Sequence, residues 1–275
     1  MTYQILCGDC KKMISSIKSN SVKTCITSPP YWQLKDYGVS GQVGAEPTPE
    51  QYAADLGDIF DEVKRTLRKD GTLWLNLGDV YCGRYNGYTP TAPSNLKGSK
   101  QSRGRSTKTA ACRMPPGYKA KDLVGAPWLV AMELRRRGWY LRCDIIWDKL
   151  GAMPEKVTDR PTRNHEYVFL LSKSERYDCD MSVIAEIMAN GKPKNRRAIW
   201  RISKQNCPAM HSAVFPDKLA QLCILSGSHT GDTVLDPFMG SGTTGKVAIS
   251  LDRDFIGIEL NPAYCLIAQS KMENY

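Results

Sequence analysis

The chain has 275 residues, of which 41% are apolar, and a formal charge of +10. That length and apolar content supply a full core and exclude a disordered chain. No run approaches the roughly 20 apolar residues of a membrane span and the N-terminus has no signal-peptide pattern, so a cytoplasmic protein is predicted, and ten scattered cysteines suit its reducing environment.

Residues 3–7 read as a short strand, and Gly8 and Asp9 as its turn into a helix carrying Met13, Ile14 and Ile17. Cys7 and Cys10 make a C-x-x-C, but no second pair or histidine follows at zinc-ligand spacing, so no metal site is expected. Residues 22–26 are a β-branched run typical of a buried strand, which must end at Ser28 because Pro29 and Pro30 cannot donate to a sheet ladder. Proline fixes its own φ and biases the residue before it toward extended geometry. Ser28-Pro29-Pro30-Tyr31 is therefore a stiff corner of acceptors beside an aromatic ring, followed at once by Trp32. Ligands bind at such corners on the C-terminal edge of α/β sheets, though by itself the stretch is explained equally well as a proline-rich turn with a packing tyrosine.

Thr48, Pro49 and Gln51 spell an N-cap, a first-turn proline and a capping box. The helix they open places Tyr52, Leu56, Ile59, Phe60, Val63 and Leu67 on one face and Lys64, Arg65 and Arg68 in its last turns, before Gly71 ends it. Residues 72–77 form the next strand. Periodicity then disappears between about 81 and 121. Residues 80–121 hold nine Lys and Arg and no acid, with a second basic excess of six against three over 178–210. Localised positive charge of this kind is the footprint of a polyanion-binding surface, above all nucleic acid. Within it, Pro115-Pro116-Gly117-Tyr118 imitates a second P-P-Y corner, but no strand precedes it and it reads as a turn.

A helix over 126–137, closed by Gly138, precedes two strand-like runs, 141–148 and 165–172. Residues 178–207 are again poorly patterned. A helix opening at 215–219 and ended by Gly227 leads into a strand (233–235), a glycine loop, a helix from Thr243, a strand (255–258) and a final helix. Strands alternating with helices predict an α/β fold with a largely parallel sheet. His165, His211 and His229 read as structural, because no carboxylate or serine pattern pairs with them. The run Arg135-Arg136-Arg137 suits phosphate contact and a helix C-terminus alike.

Asp236-Pro237-Phe238-Met239-Gly240-Ser241-Gly242-Thr243-Thr244-Gly245-Lys246 follows a strand and opens a helix. Gly240, Gly242 and Gly245 spell G-x-G-x-x-G, and Glu259 follows Gly240 by 19 residues, as at a dinucleotide site. Gly240, Gly245 and Lys246 also imitate a P-loop, but Val247 stands where that loop needs Ser or Thr for magnesium. In a dinucleotide site the glycines come straight off the strand, whereas here Asp236, Pro237, Phe238 and Met239 intervene. A carboxylate there opposes a pyrophosphate at the helix N-terminus. A nucleoside cofactor without phosphates, bearing an amino acid and a positive sulfur, fits better: S-adenosyl-L-methionine.

Together, the Ile26-Thr27-Ser28-Pro29-Pro30-Tyr31 corner and the Asp236 to Thr243 loop resemble the amino-methylating DNA methyltransferases, in the motif order of their permuted β group. Gly8-Asp9, the 71–76 strand, His165-Glu166 and the 211–216 stretch match as well; the likeness thins over 81–121 and 178–207. The resemblance implies a Rossmann-like S-adenosylmethionine-dependent methyltransferase fold, with a largely parallel central sheet and helices on both faces. Residues 1–80, 122–177 and 208–275 would form the catalytic domain, 81–121 a basic loop insertion and 178–207 a target-recognition region.

By the same resemblance, Ser28 and the Pro29 carbonyl accept hydrogen bonds from the target amine, Pro30 completes the corner, and Tyr31 stacks on a flipped-out base. Asp236, Phe238, Gly240, Ser241, Gly242 and Thr243 line the cofactor pocket, Glu259 holds the ribose hydroxyls, Asp9 faces the adenine and Phe215 completes the pocket. Trp32, Arg103, Arg105, Lys108, Arg196 and Arg197 face DNA. An exocyclic amine is a poor nucleophile because its lone pair is delocalised into the ring; fixed acceptors favour a pyramidal nitrogen aligned with the sulfonium methyl. Double-stranded DNA is the implied partner, with no membrane. A homodimer and a cognate restriction endonuclease, as against an orphan or phage-type enzyme, stay open. Ser28 at the first motif position leans toward N4 of cytosine, with N6 of adenine as the alternative. The Pro-Cys pair of cytosine-C5 enzymes is absent; Cys207-Pro208 has the reverse order. Two other classes remain at this point: a dinucleotide-binding oxidoreductase and a catalytically dead DNA-binding protein.

Overall fold

A computed structural model describes residues 1–34, 38–39, 41–83, 115–151, 155–205 and 215–273. The stretch 84–114, with Arg103, Arg105 and Lys108, and residues 206–214, with His211 and Cys207-Pro208, lie outside the described residues. The chain runs β1 (Tyr3–Cys7), α1 (Cys10–Met13), β2 (Val22–Thr27), α2 (Pro49–Thr66), β3 (Leu67–Leu77), α3 (Ala126–Arg136), β4 (Tyr140–Leu150) and β5 (His165–Ser172). It continues through β6 (Glu186–Ile187), β7 (Pro193–Lys194), β8 (Ile199–Ser203), α4 (Asp217–Gly227), β9 (Thr233–Asp236), α5 (Thr243–Ser250), β10 (Asp254–Glu259) and α6 (Pro262–Glu273). Eight strands form one sheet in the order β1-β10-β9-β2-β3-β5-β4-β8, in which β5 runs against the rest and every other neighbour pair is parallel.

Alternation along the central strands builds two cores, one on each face. Leu73, Leu75 and Leu77 of β3 and Phe169 and Leu171 of β5 point to one face, where they meet Tyr52, Leu56, Phe60 and Val63 of α2 and Val130 and Leu134 of α3. Trp74, Val168 and Leu170 point to the other, against Leu219 and Ile224 of α4, Val247 of α5 and Met272 of α6. Covering both faces with helices is what a mainly parallel sheet requires. Each fully buried side chain of α2's apolar face contributes about 2 kcal/mol of burial. Among the described residues no helix is long and apolar enough to cross a membrane.

Several expectations are corrected. The helix opened by Thr48 ends at Thr66, not near Gly71, because Leu67 already pairs with Val22. The register then jumps to Thr24 opposite Thr72, so residues 68–71 bulge, and a Cβ on Gly71 would stand 3.0 Å from the Lys23 carbonyl oxygen. Only half of the capping box forms: Thr48 Oγ1 accepts from the Gln51 amide at 3.1 Å, while the Gln51 side chain turns to Asp55. The first helix stops at Met13, and Ile17 is already extended. The 178–207 region is not wholly irregular, since β8 joins the edge of the main sheet beside β4 and β6 pairs with β7. Tyr118 closes a turn onto the Pro115 carbonyl, as predicted.

Candidate active site

Strands β2 and β9 are neighbours at the middle of the sheet, yet the chain leaves them in opposite directions: β2 leads through α2 to β3, β9 through α5 to β10. Their C-terminal ends therefore open a crevice between diverging connections, the place where open α/β sheets bind ligands. Thr27 at the end of β2 donates its hydroxyl to Asp236 at the end of β9 at 2.6 Å, joining the two motifs across 209 residues. One cleft is lined by Asp9, Ser28, Pro30, Phe238, Gly240, Ser241 and Glu259 of the sequence-predicted set.

On the loop side, Gly240 (φ +55°) and Gly242 (φ +83°) adopt left-handed backbone that favours glycine. A Cβ on Gly242 would meet Ala268 of α6 at 2.8 Å, so this glycine serves packing as well as turning. Glu259 accepts from the Gly240 amide and the Asn261 amide, one on each carboxylate oxygen, both at 2.8 Å. Burial pushes its carboxyl up, with those amides opposing the rise. Each oxygen keeps lone-pair capacity toward the cleft, which suits a pair of hydroxyl donors. Asp9 caps α1 by accepting from the Lys11 amide at 3.0 Å and still lines the cleft.

Four predicted cofactor contacts differ. Asp236 is fully buried behind the cleft, its oxygens held by Thr27, Thr244 and the Phe238 amide, so it braces the loop instead of lining the pocket. Gly242 and Thr243 sit behind Ser241, outside the cleft lining, with Thr243 starting α5. Phe215 packs, half-buried, against the core of α4 and α5 and likewise does not line the cleft.

On the corner side, Ser28 and Pro30 face the cleft and Pro29 is buried. The Tyr52 hydroxyl donates to the Pro30 carbonyl at 2.9 Å, anchoring the corner on α2. Tyr31 Oη donates to Glu166 Oε2 at 2.7 Å, and Asn76 Nδ2 lies 2.7 Å from Tyr31 Oη, 2.9 Å from Glu166 Oε2 and 3.2 Å from Ser28 Oγ. Lys149 of β4 pairs with Glu166 Oε1. Burial, then the Glu166 charge, holds the Tyr31 phenol well above its ordinary range. Trp32 corrects another expectation: its ring is 1% exposed in the core and its indole N–H donates to the Glu46 carbonyl at 2.9 Å, so it offers no surface to DNA.

Elsewhere, Arg196 donates to the Ile184 carbonyl at 2.8 Å and lies near Glu186, which ties it into the β6–β7 region instead of freeing it for DNA; Arg197 is exposed. Arg137 is drawn into Asp58, Asp61 and Glu133, and Arg136 into Glu133, so intramolecular partners explain both. His229 does have a carboxylate partner, Asp178 at 3.0 Å, contrary to the sequence reading. Asp178 also meets Lys23, near the start of β2 and so away from the cleft at the strand ends. Among the described residues no cluster of His, Cys, Asp and Glu could hold a metal.

Sequence reasoning missed Asn76, Lys149 and Glu166 at the corner, and Asn261 and Tyr264 in the cleft. Asn76 carried a signal: it is a polar residue inside the apolar run Leu73-Trp74-Leu75-Asn76-Leu77, and such a residue must find partners once buried. Glu166 carried one only as part of the His165-Glu166 pair that matches the family, with no role attached to it; Lys149 carried none, because charges at a strand end are ordinary.

A family described as DNA methylase (N6_N4_Mtase) matches residues 22–270. The chain is 46% identical over 271 residues to the Type II methyltransferase M.SmaI of Serratia marcescens, covering 98% of this chain and 90% of that one. It is 44% identical over 266 residues to M.Cfr9I of Citrobacter freundii, covering 97% and 86%. In structure it resembles the PvuII DNA methyltransferase (cytosine-N4-specific), with a TM-score of 0.71 at 20% identity over 98% of this chain and 86% of that one. It also resembles TTHA0409 of Thermus thermophilus, solved with S-adenosyl-L-methionine, with a TM-score of 0.65 at 23% identity over 100% of this chain and 95% of that one. On these matches the chain, with its proline corner and glycine loop, belongs to the N6/N4 DNA methylase family.

Proposed function

We propose that this protein transfers a methyl group from S-adenosyl-L-methionine to the N4 amino group of cytosine within a fixed sequence of double-stranded DNA. The observation that carries the reading is the single cleft that Ser28 and Pro30 share with Phe238, Gly240, Ser241 and Glu259, placing an amine-accepting corner beside a loop suited to a phosphate-free nucleoside. When bound, the cofactor supplies an electrophilic methyl group on a positive sulfur. Glu259 would hold its ribose hydroxyls, Phe238 its base, and Asp9 the donors at its edge. Ser28 and the Pro29 carbonyl orient the target amine, and the Tyr52 anchor on Pro30 keeps those acceptors from moving as charge develops. Tyr31 supplies the aromatic surface for a flipped base.

Membership in a methylase family accounts for the G-x-G-x-x-G spacing without a nicotinamide or flavin. Serine at the head of the corner favours cytosine, and the structural likeness to a cytosine-N4-specific enzyme supports the same choice. N6 of adenine is the alternative. The test is to incubate the protein with labelled S-adenosyl-L-methionine and methylation-free amplified genomic DNA, then digest to nucleosides. N4-methyldeoxycytidine is expected. N6-methyldeoxyadenosine alone would overturn the choice of base, and binding of both ligands without transfer would support the dead-enzyme reading.

A further inference from the structure

Transfer to an exocyclic amine forms an N–C bond, breaks the S–C bond and leaves one surplus proton on the nitrogen. Ser28 is the side-chain acceptor at the corner, but a serine hydroxyl is a weak base and can take a proton only while passing its own onward. The structure supplies that outlet. Ser28 Oγ donates to Tyr31 Oη at 3.3 Å, and Tyr31 Oη donates to Glu166 Oε2 at 2.7 Å. Both bonds run donor-first toward the carboxylate; Asn76 Nδ2 donates to one Ser28 lone pair, and the other is left for an incoming N–H. Asn76 Nδ2 lies within 3.2 Å of all three oxygens and fixes their order.

We propose that Glu166 is the terminal proton acceptor of the reaction, reached from Ser28 through Tyr31. This rests on the methyl-transfer reading above. The amine proton moves to Ser28 Oγ as the Ser28 proton moves to Tyr31 Oη and the Tyr31 proton to Glu166 Oε2. Both hydroxyls end neutral. The sulfonium charge and the carboxylate charge are extinguished together, so the step balances. Glu166 does not touch the DNA; it is a positioning residue that acts through two hydroxyls. Its side chain is 13% exposed and that of Lys149 16%, which gives the proton a route to water. Tyr31 stays a neutral relay, because burial and the Glu166 charge disfavour its phenolate. The groups facing Glu166 are Lys149 of β4, Asn76 of β3, Tyr31 of the corner and the adjacent His165. Burial, then Arg163 and Lys149, holds His165 below its usual range, so it does not compete for the proton near neutrality.

The test is single-turnover transfer of a tritiated methyl group to methylation-free amplified genomic DNA across pH. It is read beside cofactor affinity by calorimetry and DNA affinity by anisotropy. Glu166→Gln keeps an acceptor for Tyr31 but cannot take the proton. It should slow transfer about a hundredfold. Both affinities should stay within about twofold of wild type. The wild-type rate should fall on the acid side, and that limb should be missing in the variant. A near-wild-type rate, or an acid limb that persists in Glu166→Gln, would overturn the relay. Tyr31→Phe keeps the ring and cuts the chain at the hydroxyl, so it carries the same test if Glu166→Gln loses cofactor binding through misfolding; an intact acid limb there also refutes the relay. Wild-type protein that transfers no label refutes the parent reading and the relay with it, whereas transfer untouched by both variants refutes the relay alone.

Discussion

Replacing Asp236 with Asn should add stability progressively as pH rises from 3.8 through about 6. Asp236 is buried, and burial pushes its carboxyl from an ordinary 3.8 up to about 6, against hydrogen bonds from Thr244, Thr27 and the Phe238 amide that favour ionisation. A carboxyl whose folded midpoint lies above its unfolded one binds its proton more tightly when folded. Its stabilisation is complete below pH 3.8 and is lost as pH rises through about 6. The gap corresponds to about 3 kcal/mol. Asparagine has the same shape and no charge to bury; it can accept from Thr27 and donate to Thr244 once that hydroxyl turns. Wild type and Asp236→Asn should therefore differ by a constant at pH below 4, and the variant should gain up to about 3 kcal/mol by pH 7. That is a rise in melting temperature of the order of 10 °C for a chain of this size. Urea unfolding of both proteins at matched pH values measures the difference directly and cancels every other titrating group. A difference that does not change with pH, or a variant that loses ground as pH rises, would refute the reasoning.

Gly78→Ala would place a Cβ 2.5 Å from Cε2 and 2.9 Å from Cδ2 of Tyr31. The ring must shift off Glu166 and Asn76, with an overpacking penalty of about 1–3 kcal/mol. Methyl transfer should fall about tenfold or more while cofactor affinity holds; unchanged transfer would count against a fixed Tyr31. If the basic stretch meets the DNA backbone, Ala at Arg103, Arg105 and Lys108 should weaken binding and reduce the log–log salt slope by roughly 2–3, without altering cofactor affinity. An unaltered slope would place the contact elsewhere.

Local chemistry made much of the protein legible. Pro29 and Pro30 stop a strand in any context, Thr48 and Pro49 open a helix, and the run 165–172, with its continuous apolar stretch Tyr167 to Leu171, pairs as a strand throughout. The same reasoning failed where backbone groups had a distant partner. Residues 67–70 carry helical signals, yet Leu67 pairs with Val22, and a ladder partner outweighs a propensity worth tenths of a kcal/mol. Residues 199–203 looked unpatterned because the strand is short and an apolar residue sits on its open face: Ile199 is 60% exposed while Trp200 and Ile202 are buried.

The site divides along the same line. The two motifs, their order and the family they belong to are properties of contiguous residues, and the sequence alone determined them. What each residue does was decided by the fold. Asp236 became a buried brace because β2 and β9 lie side by side and bring Thr27 to it. Trp32 went into the core because the Glu46 carbonyl was there to accept its N–H. Glu166 reached Tyr31 because β5 enters antiparallel, so that its first residues, not its last, stand at the edge where β2 ends. A hydrogen bond depends on where two atoms finish, and only the assembled sheet brings atoms 135 residues apart to within 2.7 Å.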